Sequence, residues 1–220
     1  MKKVLGFILV LCLILSGTVA FAEDIYIIQQ EPDGFSTQAS KMSSAEGSSN
    51  DIFYYISSAE EYVTIWNQIA GRGTQFDNLI VMVHGGYSTS DNGGFLIANY
   101  DDNTGRTQSY ICQDGDQYNY QLDKTWDDLN ILTNIRGNIL LLSCNGGTGN
   151  STSAGYRLAK RTVTKVICAK DSNVSYWPIT YKPRLNDTTN GTWVAYWKLK
   201  TGYRSEDLGT SWNFSNFVNQ

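Results

Sequence analysis

The chain has 220 residues, with 17 basic against 21 acidic side chains, a single histidine, four cysteines, 13% aromatic and 17% charged residues. The acidic balance argues against a nucleic-acid partner, which would need a basic face. The aromatic, sparsely charged composition is that of a globular domain with a sizeable core.

Residues 1–22 read as an export signal. Lys2-Lys3 is a basic start, Val4 to Ser16 is almost wholly apolar, and Ala20 and Ala22 are small residues where a signal peptidase reads. The apolar run is short of the ~20 residues a permanent span needs. Cleavage before Glu23 would leave one soluble, secreted or extracytoplasmic domain over 23–220. Loss of Lys2 and Lys3 lowers the basic count from 17 to 15 and moves the net charge from −4 to −6. Cys12 leaves with the signal, so Cys112, Cys144 and Cys168 remain, an odd number with no CxxC spacing. That argues against a disulfide framework or a zinc site, and it leaves one exported thiol either free or paired with another molecule. Whether Cys112 and Cys168 pair stays open.

Asp24 to Gln29 is the first expected strand. Residues 31–50 are polar and rich in Ser, and read as a long loop or a flexible processing segment. Asp51 to Ile56 is a second strand. Ser57-Ser58-Ala59-Glu60 then supplies an N-cap and an acidic first turn to a helix that ends near Ala70, with Tyr62, Ile65, Trp66 and Ile69 on one face. Asn78 to Val83 is apolar without alternation, the pattern of a strand buried on both faces of a parallel sheet. It runs into His84-Gly85-Gly86, read as a Gly-rich loop at the strand's end. Phe95–Tyr100 and Gln108–Gln113 read as a hairpin, and 125–132 as a short helix. Asn138 to Leu142 is a second unalternating run, ending in Ser143-Cys144-Asn145-Gly146-Gly147. A helix over 151–161, a buried strand over 164–169 and a β-hairpin over 177–197 turning at Asn190-Gly191 complete the chain. The fold class expected is α/β, a mostly parallel sheet flanked by helices with a C-terminal β-hairpin.

Two buried strands thus each deliver one reactive residue to their C-terminal ends, where open α/β sheets bind ligands. A thiol attacks as its thiolate, which a nearby imidazole, or the start of the helix after Cys144, would favour. Gly85 leaves room for a carbonyl to approach the backbone, so its N–H and that of Cys144 could form an oxyanion hole.

In LIVMVHGG (79–86) and ILLLSCNGG (139–147) the chain resembles the caspase-like cysteine peptidases, a group that includes caspases, legumain, clostripain and gingipains. The resemblance extends over about 76–180, through KVICAKD and SYWP. It implies a caspase-like three-layer sandwich, His84 as general acid and base, Cys144 as nucleophile and Gly85 as oxyanion donor, with no cofactor or metal and a peptide or protein as substrate. Asp171, Tyr176 and Trp177 fall where the group often builds its specificity pocket, and an acidic Asp171 would suit a basic residue before the scissile bond. Leu142-Ser143 stands where caspases carry Gln-Ala before the cysteine, which puts aspartate specificity in doubt.

Three rival enzyme classes are weighed against this. An α/β-hydrolase needs a second histidine and a GxSxG, neither of which is present. Papain-like enzymes place Cys before His. A sortase-like transpeptidase matches the His-before-Cys order over 60 residues and could use Arg157, but it is a β-barrel. The non-enzyme alternative is a caspase-like fold kept as a secreted binding module.

Overall fold

A computed structural model describes residues 23–30, 35–89, 93–98, 108–113, 123–178, 181–214 and 217. The expected signal at 1–22, and most of the loop that follows Gln113, lie outside these residues.

The central sheet is built from β1 (Ile25–Gln29), β2 (Ile52–Ile56), β3 (Leu79–Met82), β8 (Ile139–Leu142), β9 (Val166–Lys170), β12 (Thr192–Leu199) and β13 (Gly202–Gly209). Its seven strands run in the order β13-β12-β9-β8-β3-β1-β2. The five from β9 to β2 are mutually parallel, while β12 and β13 are antiparallel additions. The unalternating runs behave as expected. Every residue of β1, β3 and β8 is buried, and Val81 pairs directly with Leu141.

Alternation along these strands creates two cores. Ile27, Val81, Leu141 and Cys168 face one side, where they meet Tyr62, Trp66 and Ile69 of α2 (Ala59–Ala70) and Leu158 of α3 (Ala154–Ala159). Tyr26, Ile28, Met82 and Leu142 face the other, against Ala39 and Met42 of α1 (Phe35–Ala45) and the C-terminal Trp212, Phe214 and Phe217. Helices therefore cover both faces of an α/β sandwich. No helix among the described residues is long and apolar enough to cross a membrane.

α2 starts as its sequence dictates: Ser58 is extended, its hydroxyl accepts from the Glu61 N–H, and Glu60 and Glu61 occupy the positive end of the helix dipole.

Five expectations need correction. The segment 31–50 is not a loop throughout, because α1 occupies most of it. Phe35, Ala39 and Met42 recur at helical spacing, the last two buried and Phe35 half-buried against the same core, a stripe hidden in sequence by the Ser, Thr and Gln between them. The C-terminal hairpin exists but turns at Lys200-Thr201, between β12 and β13, not at Asn190-Gly191. There the Asp187 carboxylate accepts the N–H groups of Thr189 and Asn190, closing a side-chain turn that leads into β12. A separate small hairpin, β10 (Val174–Tyr176) with β11 (Pro183–Leu185), takes up the first half of that segment. The helix after Cys144 is shorter than 151–161: a 3-10 turn at Asn150–Thr152 precedes α3, and Ser153, whose hydroxyl accepts from the Tyr156 N–H, caps it. The helix expected over 125–132 is one 3-10 turn at Trp126–Asp128.

The fifth correction bears on the site. His84-Gly85-Gly86 does not form a loop. The chain passes from β3 straight into β4 (His84–Ser88), the edge of a four-stranded sheet with β5 (Gly93–Ile97), β6 (Tyr110–Cys112) and β7 (Lys124–Thr125). β5 and β6 form the expected hairpin, pairing Leu96 with Ile111.

Candidate active site

The register of the central strands places the two reactive residues. Met82 of β3 pairs with Leu142 of β8, and His84 and Cys144 each follow two residues later. Both therefore leave adjacent central strands at the same C-terminal edge, two residues past Met82 and Leu142, which face the α1 side. The His84 ring agrees: it lies 5.2 Å from the ring of Phe35, the first residue of α1, at an interplanar angle of 52°.

The residues next to His84 and Cys144 lock the two strand ends together. Ser143 is buried, and its hydroxyl lies where a Cβ on Gly85 would stand, with the Phe95 carbonyl oxygen only 2.8 Å from the same point. Gly85 is therefore required by close approach, not by an unusual φ. We expect Gly85→Ala to push β4 away from Ser143 and from β5, lowering any turnover at this site more than tenfold and costing about 1–3 kcal/mol by overpacking. Matched steady-state assays and chemical denaturation of the two proteins check this.

The segment after Cys144 is a run of turns fixed at several points. Asn145 takes a left-handed conformation (φ 55°), and its N–H donates to the Ser172 carbonyl at 3.0 Å. The Gly147 N–H donates to Ala169 O at 2.7 Å, and the Thr148 hydroxyl accepts from the Asp171 N–H at 2.8 Å. These bonds tie the cysteine loop to the end of β9. They also bring Asp171, exposed and left-handed at φ 54°, to the same sheet edge one strand further on.

The aromatic pair Tyr176 and Trp177 lies on the small β10–β11 hairpin. Trp177 is 51% exposed, and the Arg184 guanidinium sits 4.4 Å above its ring. That cation is a feature the sequence reading missed. Opposite it, Lys41 of α1 lies over the Tyr181 ring and donates to the Tyr181 hydroxyl at 2.6 Å. The hairpin is thereby docked on the α1 side of the sheet, the side of the His84 ring. Its aromatic rings already carry cations, so the hairpin is not purely the acidic surface that Asp171 alone would suggest.

The three cysteines differ sharply. All are free thiols, with no disulfide between Cys112 and Cys168. Cys168 is wholly buried between α3 and β12; burial pushes its thiol far above the ordinary range. Cys112 is buried beside the Lys124 carbonyl. Cys144 alone is partly exposed. The first-turn N–H groups of Gly155 and Tyr156 in α3 are taken by Gly146 O and the Ser153 hydroxyl. Arg157, the third group a sortase would use, is held on α3, where its Nε donates to Thr152 O and its Nη1 to Gln113. Among the described residues no group of three or more His, Cys, Asp or Glu side chains could hold a metal ion.

Comparison of the chain with protein-family models, with curated proteins and with solved structures gives no match in any of the three. The chemistry of the site therefore has to be argued from its own residues.

Proposed function

We propose that the protein is a secreted cysteine endopeptidase of the caspase-like kind, using a His84/Cys144 dyad. One observation carries the reading: the only histidine of the chain and its only partly exposed described cysteine leave adjoining buried parallel strands at matching register positions. In an open α/β sheet that edge is the ligand-binding edge. The mostly parallel sheet with helices on both faces supports the caspase-like sandwich over a sortase barrel, since its edge strands β2 and β13 do not close on each other.

In the proposed reaction His84 takes the Cys144 proton, and the thiolate adds to a peptide carbonyl. The N–H groups of Gly85 and Cys144 receive the developing oxyanion. Among the described residues β4 is the edge strand of its sheet, the place where a backbone N–H can meet a ligand. The imidazolium then protonates the leaving amine, the C–N bond breaks, and water resolves the acyl-enzyme with His84 as base.

An iodoacetamide probe on the mature protein tests the reading at its least assumption-laden point. The adduct is expected at Cys144, with Cys112 and Cys168 labelled only after unfolding, and labelling should weaken in His84→Ala. Adducts on Cys112 or Cys168 with Cys144 untouched would reject the dyad. An inert protein on a peptide library, despite a reactive Cys144, would favour the binding module.

A further inference from the structure

Gln29 is out of place by every rule that shapes the rest of β1. It is the last residue of a strand whose other four members are apolar, it is completely buried, and its alternation puts it among the aliphatic side chains of the α2 side. A buried amide is costly unless both ends are hydrogen-bonded. Here only one end is satisfied: Oε1 accepts the His84 N–H at 2.8 Å, while Nε2 is buried with no hydrogen-bond partner among the described residues. A methionine would fill the same volume without that cost. Side chains that break a local rule in this way collect where function requires them.

The bond that Gln29 does make reaches the one residue on which the chemistry depends. β1 adjoins β3, so Gln29 stands beside Val83, the last residue before His84. His84 is where the chain leaves the central sheet for the small one, in which it pairs with Ile97. On the opposite side of the sheet the Phe35 ring meets the imidazole. His84 is thus gripped by its main chain from one face and by its ring from the other, both grips coming from the segment around β1 and α1.

We propose that Gln29 is a positioning residue for His84: its side-chain carbonyl fixes the His84 main chain so that the imidazole is held against Cys144. The inference rests on the dyad proposed above. It makes Gln29 a residue kept for catalysis at the expense of core packing, acting through His84 and not on substrate.

The rate at which iodoacetamide alkylates Cys144 reads the dyad directly, because Cys112 and Cys168 are buried. It is measured for the full protein and for His84→Ala, each with Gln29 intact and as Gln29→Met. With Gln29 present, removing the imidazole is expected to slow alkylation at least about tenfold. In the Gln29→Met background that factor should fall to less than half, while the melting temperature changes by no more than about 3 °C. An undiminished factor in Gln29→Met overturns the inference and leaves the dyad standing. No slowing even with Gln29 present overturns the dyad itself. Should Gln29→Met fail to fold, Gln29→Asn keeps the amide but falls one methylene short of the His84 N–H, and the same loss of coupling is expected of it; full coupling there refutes the role.

Discussion

Replacing Cys144 with alanine is expected to lower peptide hydrolysis by at least about 10³-fold, and His84→Ala by a similar factor, with the double replacement little worse than either. The near-equality is the informative part. A nucleophile and its base act as one unit, so losing either loses the acyl-enzyme route, and the second loss removes nothing further. Neither change should unfold the protein. Cys144 is partly exposed at a strand end, and His84 is partly exposed in an edge strand, so neither belongs to the two buried cores that hold the sheet. Steady-state rates on a susceptible peptide, with melting curves on the same preparations, give the comparison. Additive losses, or activity that survives in Cys144→Ala, would place the chemistry elsewhere.

How far the sequence foretells this arrangement depends on the kind of signal each element carries. The runs NLIVMV and NILLL are legible because a strand buried on both faces has no polar side to show. In the sheet the two strands are neighbours. α2 is legible from its N-cap and from four large side chains at helical spacing. α1 is not, because its apolar stripe is only the half-buried Phe35 and the buried Ala39 and Met42 within a run of Ser, Thr, Gln and Lys, and composition there outweighs period. The C-terminal turn is missed for another reason. Asn190-Gly191 is a strong local turn signal, and a turn does form there, but Asp187 recruits it to close a loop before β12 instead of a hairpin.

The site shows the same division. His84 and Cys144 are legible as residues at the ends of apolar strands. What surrounds them is not, since it is made by tertiary contact: Ser143 packed on Gly85, Asn145 and Thr148 bonded to 171–172, and Arg184 stacked on Trp177. Gln29 carried a usable signal, a lone amide closing the run DIYIIQ, but reading it required knowing that β1 lies beside β3.

The largest expected effect on stability lies at the opposite end of the sheet, in a row of polar side chains that precede the central strands. Asp24 accepts the backbone N–H and the side-chain amide of Asn78, both at 3.1 Å. Asn78 in turn accepts the Asn138 N–H at 3.0 Å, and the Thr164 hydroxyl donates to Asn138 at 3.3 Å. Asp24 is 6% exposed, and burial raises its carboxyl to about 6, with repulsion from Asp51 and Asp77 adding to the rise and the bonds from Asn78 opposing it. A carboxyl whose folded value lies above its unfolded one binds a proton more tightly in the native state. Its favourable contribution is therefore fully present below about pH 4 and is lost as the pH rises through about 6. Above that, the buried carboxylate costs about 2–3 kcal/mol relative to the protonated form. Asp24→Asn should keep the acceptor for Asn78, and the new amide would have a partner in Asp51, whose Oδ2 is buried without a hydrogen bond among the described residues. The variant is expected to match the original near pH 4 and to melt about 5–10 °C higher at pH 8, the gap opening between pH 4 and 6. Thermal unfolding of both proteins across that range checks the sign directly. Parallel curves would mean that Asp24 titrates normally, and a variant less stable at pH 8 would mean that the charged form is what the Asn78 row requires.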